Sequence, residues 1–405
     1  MDSEEKRKQE VSAYRNIFAL GFVSFFTDVS SEMVFSLLPT FIIGLPGSNE
    51  AILGLIEGSA ESLSYGLRAF SGFFSDKFRK RKIIVLIGYA FSNIVKPFFY
   101  LAQTAAQVLI IRIADRVGKA VRTAPRDALI SESVSEKHRG AAFGLHRTLD
   151  QTGAIIGPII ASVSMLMLGL SERDIFLISF VPGLVAIIIL LLVVQEKVGK
   201  STGKIRLLDG VGTVLKGDFR LLLIVVAIFS LGSFNYSFLL IHAEESGISP
   251  SFIPLVYATI NIAHTLVAIP SGLLSDKIGK EKALLLGYGA FFVTDILLFI
   301  SPKTQLYSLF MAVIFGAYMG IIETVQRAMV PKYAESAFRG TAYGFYYLVA
   351  GFAFFGANTV VGALWHNFGS SIAALYSLTS TSMAIIGMLL FLLKRRKTAL
   401  PNETH

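Results

Sequence analysis

The sequence predicts an all-α polytopic membrane protein, with twelve transmembrane helices in two pseudo-symmetric six-helix bundles. Three observations predict it. Of 405 residues, 53% are apolar and only 16% are charged, whereas an ordinary soluble domain carries about 25% charged residues. Twelve apolar stretches recur along the chain, each near or above the roughly 20 residues a membrane span requires. The two halves also repeat one another at a fixed displacement.

The stretches fall at 16–43, 51–75, 83–102, 105–128, 140–168, 175–194, 221–243, 252–275, 283–301, 304–330, 341–366 and 371–393. Those longer than a hydrocarbon core imply tilt or extension into the interface. Pro97, Pro158, Pro182 and Pro270 lie inside them, which membrane helices tolerate because neighbouring helices satisfy freed backbone groups. Barrel strands would be short and alternating, unlike these runs. The opening residues, MDSEEKRKQE, are polar, and the apolar segment after them is too long for a signal-peptide core and lacks an A-x-A site. It reads as a retained first span. The absence of cysteine excludes disulfides, iron–sulfur clusters and thiolate metal sites.

The net charge is +9. Sorting the 37 Lys and Arg by location puts 26 on the side of the N-terminus, two (Arg173 and Lys303) on the opposite side, and nine inside spans. By the positive-inside rule both termini are expected in the cytoplasm, in a plasma (inner) membrane. The basic excess is then a topology signal and not a nucleic-acid footprint.

The segment SGFFSDKFRKRK at 71–82 matches SGLLSDKIGKEK at 271–282, displaced by 200. Arg139-Gly140, Ala142 and Gly144 recur as Arg339-Gly340, Ala342 and Gly344. The expected organisation is a six-helix bundle over 1–194, a polar cytoplasmic linker at 195–219, and a second bundle over 220–405.

Gly72-x-x-x-Asp76-Lys77-x-Arg79-Lys80-Arg81 resembles the loop motif G-x-x-x-D-R/K-x-G-R/K-R/K of the major facilitator superfamily of secondary transporters. Arg79 replaces the usual Gly, which the second copy, Gly272-x-x-x-Asp276-Lys277-x-Gly279-Lys280, retains. Arg112-x-x-Asp115-Arg116-x-Gly118-x-Ala120 is similar to that family's R-x-x-Q-G-x-G-x-A, with Asp and Arg in place of Gln and Gly. Gly144, followed after eight residues by Gly153-x-x-x-Gly157-Pro158-x-x-Ala161, resembles the motif of the antiporter branch, except that Ala161-Ser162 replaces its final Gly-Gly. The resemblance covers essentially the whole chain. It implies alternating access, with a gating motif of Gly72, Asp76, Lys77, Arg81, Gly272, Asp276 and Lys277. Arg122 and Arg126, near the same end, are assigned to gating salt bridges. Gly153 and Gly157 permit close helix contact, and Pro158 bends its helix. Gly144 completes this expected packing motif.

Ionisable residues at membrane depth are costly and point to function. Nine acids and nine bases lie within the spans, seven and eight of them in the first half. Asp28 and Glu32 are four apart on one helix face, as are Glu57 and Glu61. A proton-coupled carrier needs a carboxylate whose protonation follows its surroundings, and a nearby Arg that pairs and unpairs can supply that change. Asp28 is the expected proton site, Glu32 and Glu61 its alternates, and Arg112 its switching partner. Glu57, Arg116, Arg147, Asp150, Asn235, Tyr236, Asn261, Glu323 and Gln326 are the candidate substrate-binding residues.

The expected function is a proton-coupled secondary transporter exporting a small organic solute. One alternative is an uptake or exchange carrier for an anionic metabolite or metal chelate, favoured by the basic residues of span 4. Another is a non-transporting receptor or lipid-moving protein on the same fold. The expected partners are the bilayer, a small-molecule substrate and protons, and the expected state is a monomer. An enzyme is not expected. The sequence has no phosphate-cradling G-x-x-x-x-G-K-[ST] loop, and no catalytic residues, metal ligands or cofactor are assigned.

Overall fold

The computed structural model describes residues 3–77, 81–135, 138–196, 212, 215–333 and 339–399. These form twelve helical rods, and no strand occurs among the described residues. Span 1 is Ser3–Phe35 with Leu38–Ile43, span 2 Glu50–Lys77, and span 3 Arg81–Val95 with Phe98–Leu101. Span 4 is Ala105–Ser133, span 5 Arg139–Leu168, and span 6 Glu172–Ile178 with Phe180–Leu192. Span 7 is Gly217–Gly232 with Ser237–Glu245, span 8 Ile253–Ile278, and span 9 Lys280–Ile300. Spans 10 to 12 are Gln305–Tyr333, Arg339–Phe368 and Ser370–Ala399. Ten rods are long and apolar enough to cross a membrane. Spans 2 and 4 are the other two, and span 4 holds seven ionisable residues between Arg112 and Asp127.

The repeat is visible in the helix ends. Spans 4 and 10 begin and end 200 residues apart, and span 5 begins and ends 200 residues before span 11. Gly169 and Gly369 follow spans 5 and 11 with φ of 64° and 87°, a left-handed conformation that glycine adopts without steric cost.

Four rods are broken. Pro39 and Pro97 lie at the breaks in spans 1 and 3, where proline removes a backbone donor and disfavours helix at the residue before it. Span 6 is interrupted at Ser179. In span 7 the backbone of Ser233 is extended, and asparagines take over the backbone's hydrogen bonding. Asn235 N–H donates to Asn358 Oδ1 at 2.9 Å, while Asn235 Oδ1 accepts from Ser237 N–H and Oγ at 2.9 and 2.8 Å.

The chain divides into two compact units: residues 1–48, 66–205 and 249–258, and residues 49–65, 206–248 and 259–405. Each unit takes in the opening stretch of the other half's second helix, a feature the simple division at 194 and 220 does not contain. Most of the expected 195–219 linker lies outside the described residues.

In the first unit, spans 1 and 5 meet along a glycine seam. A Cβ on Gly157 would lie 2.6 Å from the Val29 carbonyl oxygen, and one on Gly153 would collide with that of Phe25. Spans 3 and 4 meet the same way at Gly88 and Gly118. Ser162 Oγ donates to the Ser251 carbonyl at 2.6 Å, holding the start of span 8. At the end carrying the termini, Asn16 Nδ2 donates to Ser133 Oγ at 2.8 Å and Arg81 pairs with Glu132. Glu196 accepts from the Arg81 and Lys82 backbone N–H groups at 3.0 and 2.9 Å.

The second unit is built on aromatics. Phe229 stacks on Tyr288 with centroids 3.9 Å apart, and Phe291 packs on Tyr318 at 4.6 Å. Trp365 lies against Phe238 at 5.5 Å and donates from its indole N–H to Glu245 Oε1 at 3.2 Å. Gly54 and Gly58 bring the start of span 2 onto the backbone of Phe355 and Asn358 in span 11. At the terminus end, Glu281 Oε1 accepts from Lys332 at 2.6 Å and Arg395 at 2.8 Å, and also bonds the Tyr333 hydroxyl.

Candidate functional site in the first unit

The glycine seam sets the chemistry of span 1. Because Gly153 has no side chain, span 5 approaches closely enough that a Cβ there would lie 3.2 Å from Asp28 Cβ. One turn earlier on span 5, Asp150 is brought beside Asp28, so that the two carboxyl groups act on each other. Two ionised carboxylates so placed repel each other, and a proton on one of them relieves that repulsion. Asp150 is further held by Ser24 Oγ, which donates to Oδ1 at 2.6 Å, and by Arg147 Nη1, 2.9 Å from Oδ2.

One turn along span 1, Glu32 Oε2 accepts from the Tyr257 hydroxyl at 2.7 Å. The charges of Lys119, Arg116 and Arg112 act on it from span 4. Arg112 and Arg116 are buried, at 0% and 4% exposure, and both cover the Phe35 ring, with Cζ 3.9 and 4.9 Å from its centroid. Asp115 accepts from Ser92 Oγ at 2.5 Å and has Arg116 Nε at 3.9 Å.

Lys96 is wholly buried. Its ammonium donates to Ser30 Oγ at 2.6 Å and Ser31 Oγ at 3.2 Å, and Ser30 Oγ donates onward to the Ser179 carbonyl. This ties spans 1, 3 and 6 at the Pro97 break.

Asp28, Glu32, Arg112, Arg116, Arg147 and Asp150 are thus gathered in one unit. Asp28 has Asp150 beside it, and Arg112 covers the Phe35 ring. Glu57, buried, and Glu61, half-buried, fall in the second unit. That unit also holds Asn235 at the span 7 break, half-buried Tyr236 and Gln326, and buried Asn261. Glu323 there lies 3.9 Å from His264 Nε2.

The gating candidates also separate. Arg122 covers the Tyr89 ring at 4.3 Å, and Arg126 is bonded to its neighbour Asp127 at 2.8–2.9 Å. Arg81 bonds Glu132, whereas Asp276 and Lys277 are exposed beside half-buried Gly272. The side-chain surroundings of Gly72, Asp76 and Lys77 lie outside the described residues. Gly144 differs from the expected packing motif: a Cβ there would meet nothing within 4 Å. Pro158 lies inside the continuous helix of span 5.

Lys96, Lys119, Ser24 and Tyr257 were not expected at this site. A lone lysine before a proline in an apolar run was a signal for Lys96. Nothing local marks Tyr257, which is 225 residues from Glu32. Among the described residues, no group of three or more His, Cys, Asp or Glu is placed to hold a metal ion.

The described residues are helical, without a strand, and charged side chains lie buried inside the spans, which defines an integral membrane protein. The family model of the major facilitator superfamily matches residues 20–220 and 220–405, and the chain belongs to that family, whose members are transporters and not enzymes. It is 36% identical to an MFS-type transporter of Methanocaldococcus jannaschii over 87% of this chain and 88% of that protein. It is 28% identical to the multidrug resistance protein MdtG of Proteus mirabilis, over 78% of this chain and 79% of that protein. Among solved structures, the nucleoside transporter NupG matches with a TM-score of 0.74 at 15% identity, covering 93% of this chain and 98% of that one. A POT family transporter in complex with 5-aminolevulinic acid matches with a TM-score of 0.78 at 14% identity, covering 95% and 97%.

Proposed function

We propose that the protein is a proton-coupled secondary transporter, working as a monomer by alternating access to export a small organic solute. In this reading it sits in the plasma membrane with both termini in the cytoplasm. The observation that carries it is the adjacent carboxyl pair Asp28 and Asp150, half-buried among helices of the first unit. A proton taken up by one of the two carboxyl groups is a loadable and releasable charge. Ser24 and Arg147 hold Asp150 in place, so release of the proton leaves two carboxylates side by side, a repulsion that favours reloading. Each proton moving down one pH unit supplies about 1.4 kcal/mol, about a tenfold solute gradient. The direction of transport draws support from the MdtG relative, named a multidrug resistance protein.

The test is transport in proteoliposomes under an imposed pH gradient. Asp28→Asn and Asp150→Asn should each abolish gradient-driven accumulation while leaving solute exchange at equal pH. Undiminished gradient-driven accumulation in Asp28→Asn would refute the reading.

A further inference from the structure

One wholly buried carboxyl group has no part in the site of the first unit. Asp295, within span 9, is 0% exposed, and among the described residues no cation pairs with it. An ionised carboxylate without a partner is costly in that setting. Its surroundings come from its own unit. Ser377 and Thr381, one turn apart on span 12, both act on the carboxyl group. The titratable groups around it are phenols: Tyr318 of span 10, Tyr288 two turns earlier on span 9, and Tyr376 beside Ser377. Phenols are ordinarily neutral at pH 7.

Hydrogen counting at Ser377 leads to the same place. Its Oγ lies 2.5 Å from the Gly232 carbonyl oxygen and 2.7 Å from Asp295 Oδ1, each a full O–H···O distance. A hydroxyl group has one hydrogen to donate, and a carbonyl oxygen has none. The second hydrogen therefore comes from the carboxyl group: Asp295 donates to Ser377, and Ser377 donates to Gly232. A hard metal ion, about 2.0–2.6 Å from each ligand oxygen, would spread these oxygens farther apart.

The Gly232 carbonyl is where span 7 breaks. It ends the half-helix before the extended backbone of Ser233, in a turn whose last carbonyls have no partner further along the helix. Span 12 supplies donors for them, Ser377 for Gly232 and the Tyr376 hydroxyl for Leu231 at 2.8 Å. Gly232 admits span 12 this closely, since a Cβ there would lie 2.5 Å from Ser380 Cβ. Loss of the proton would draw the Ser377 hydrogen to the carboxylate and leave the Gly232 carbonyl without its donor.

We infer that Asp295 is a proton-binding site of the second unit, and that its proton keeps Ser377 on the Gly232 carbonyl and so closes the end of the span 7 half-helix. The site stands on residues separate from Asp28 and Asp150 and does not depend on their role in transport.

Infrared spectroscopy of the purified full-length protein tests the site. Amide hydrogen exchange at Ser233 tests the link, because its N–H shares a peptide unit with the Gly232 carbonyl and donates to Phe229 at 3.0 Å. At pH 7 the parent should show the carbonyl stretch of a protonated acid that Asp295→Asn lacks. Ser377→Ala keeps the acid and removes its acceptor, so the same band should move to higher wavenumber, a readout that does not require Asp295→Asn to fold. Ser377→Ala should also speed Ser233 exchange about tenfold. Raising the pH until the band is lost should speed that exchange by a similar factor, beyond intrinsic base catalysis, in the parent. Asp295→Asn, whose amide remains a donor, should show no such rise. The inference is overturned if Asp295→Asn removes no band and Ser377→Ala shifts none, or if sodium chloride at constant pH removes the band. It is equally overturned if the band persists up to the pH at which the protein unfolds, or is lost with no change at Ser233.

Discussion

Glu281 and Lys332, 2.6 Å apart, occupy the two positions at which the 200-residue repeat places Arg81 and Glu132, so one junction is made twice with its charges exchanged. In the second unit the carboxylate also takes Arg395 and Tyr333. In the first, Glu196 accepts from the backbone at Arg81 and Lys82.

Glu281 is therefore the keystone of its junction. Glu281→Gln leaves Lys332 and Arg395 facing each other and should destabilise the protein by about 2 kcal/mol, discounted from a fully buried pair because both cations are partly exposed. Lys332→Ala, with its side chain 40% exposed, should cost less than about 1 kcal/mol. The exchange Arg81→Glu with Glu132→Arg should recover only part of the loss of either single change, because the new carboxylate meets Glu196. Melting temperatures of the purified variants check all of these.

The glycine seam makes a graded prediction. Gly153→Ala and Gly157→Ala push a methyl group into span 1 backbone and should each cost about 1–3 kcal/mol. Gly144→Ala should be neutral or slightly stabilising, since the space is open and alanine favours helix. Equal melting temperatures for all three would contradict the packing.

At the span 7 break, Asn358→Ala removes the acceptor for the Asn235 N–H, an orphaned buried donor worth about 1–3 kcal/mol. Hydrogen exchange at the Asn235 amide should accelerate in Asn358→Ala and remain slow in the parent.

Lys96 separates charge from architecture. Lys96→Met substitutes an apolar chain for a buried ammonium and should shift stability little. Ser30→Ala deletes a hydroxyl that both receives the Lys96 proton donor and donates to the Ser179 carbonyl, and should cost about 1–3 kcal/mol. The ranking of the two melting temperatures decides it.

Most of the architecture was written in hydropathy and in the displaced repeat, because a bilayer forces each span to be a long apolar helix. The breaks at Lys96 and Ser233 were less legible: one is cued by Pro97, the other by an asparagine whose partner lies 123 residues away. The site was legible as residue types and not as pairs. Asp28 stood out by its depth, yet the approach of Asp150 depends on Gly153 admitting span 5, a three-dimensional fact with no local cue. Likewise, Gly54 and Gly58 carry no local cue, and only the fold shows them packed on span 11.

Trp365, leaning on Phe238 and bonded to Glu245, is the chain's single tryptophan. Ultraviolet emission from the native protein thus originates largely at one known point, the end of span 11. Loss of the indole's bond, as in Glu245→Leu, should alter its colour and lifetime, giving an optical gauge of that corner without any attached dye.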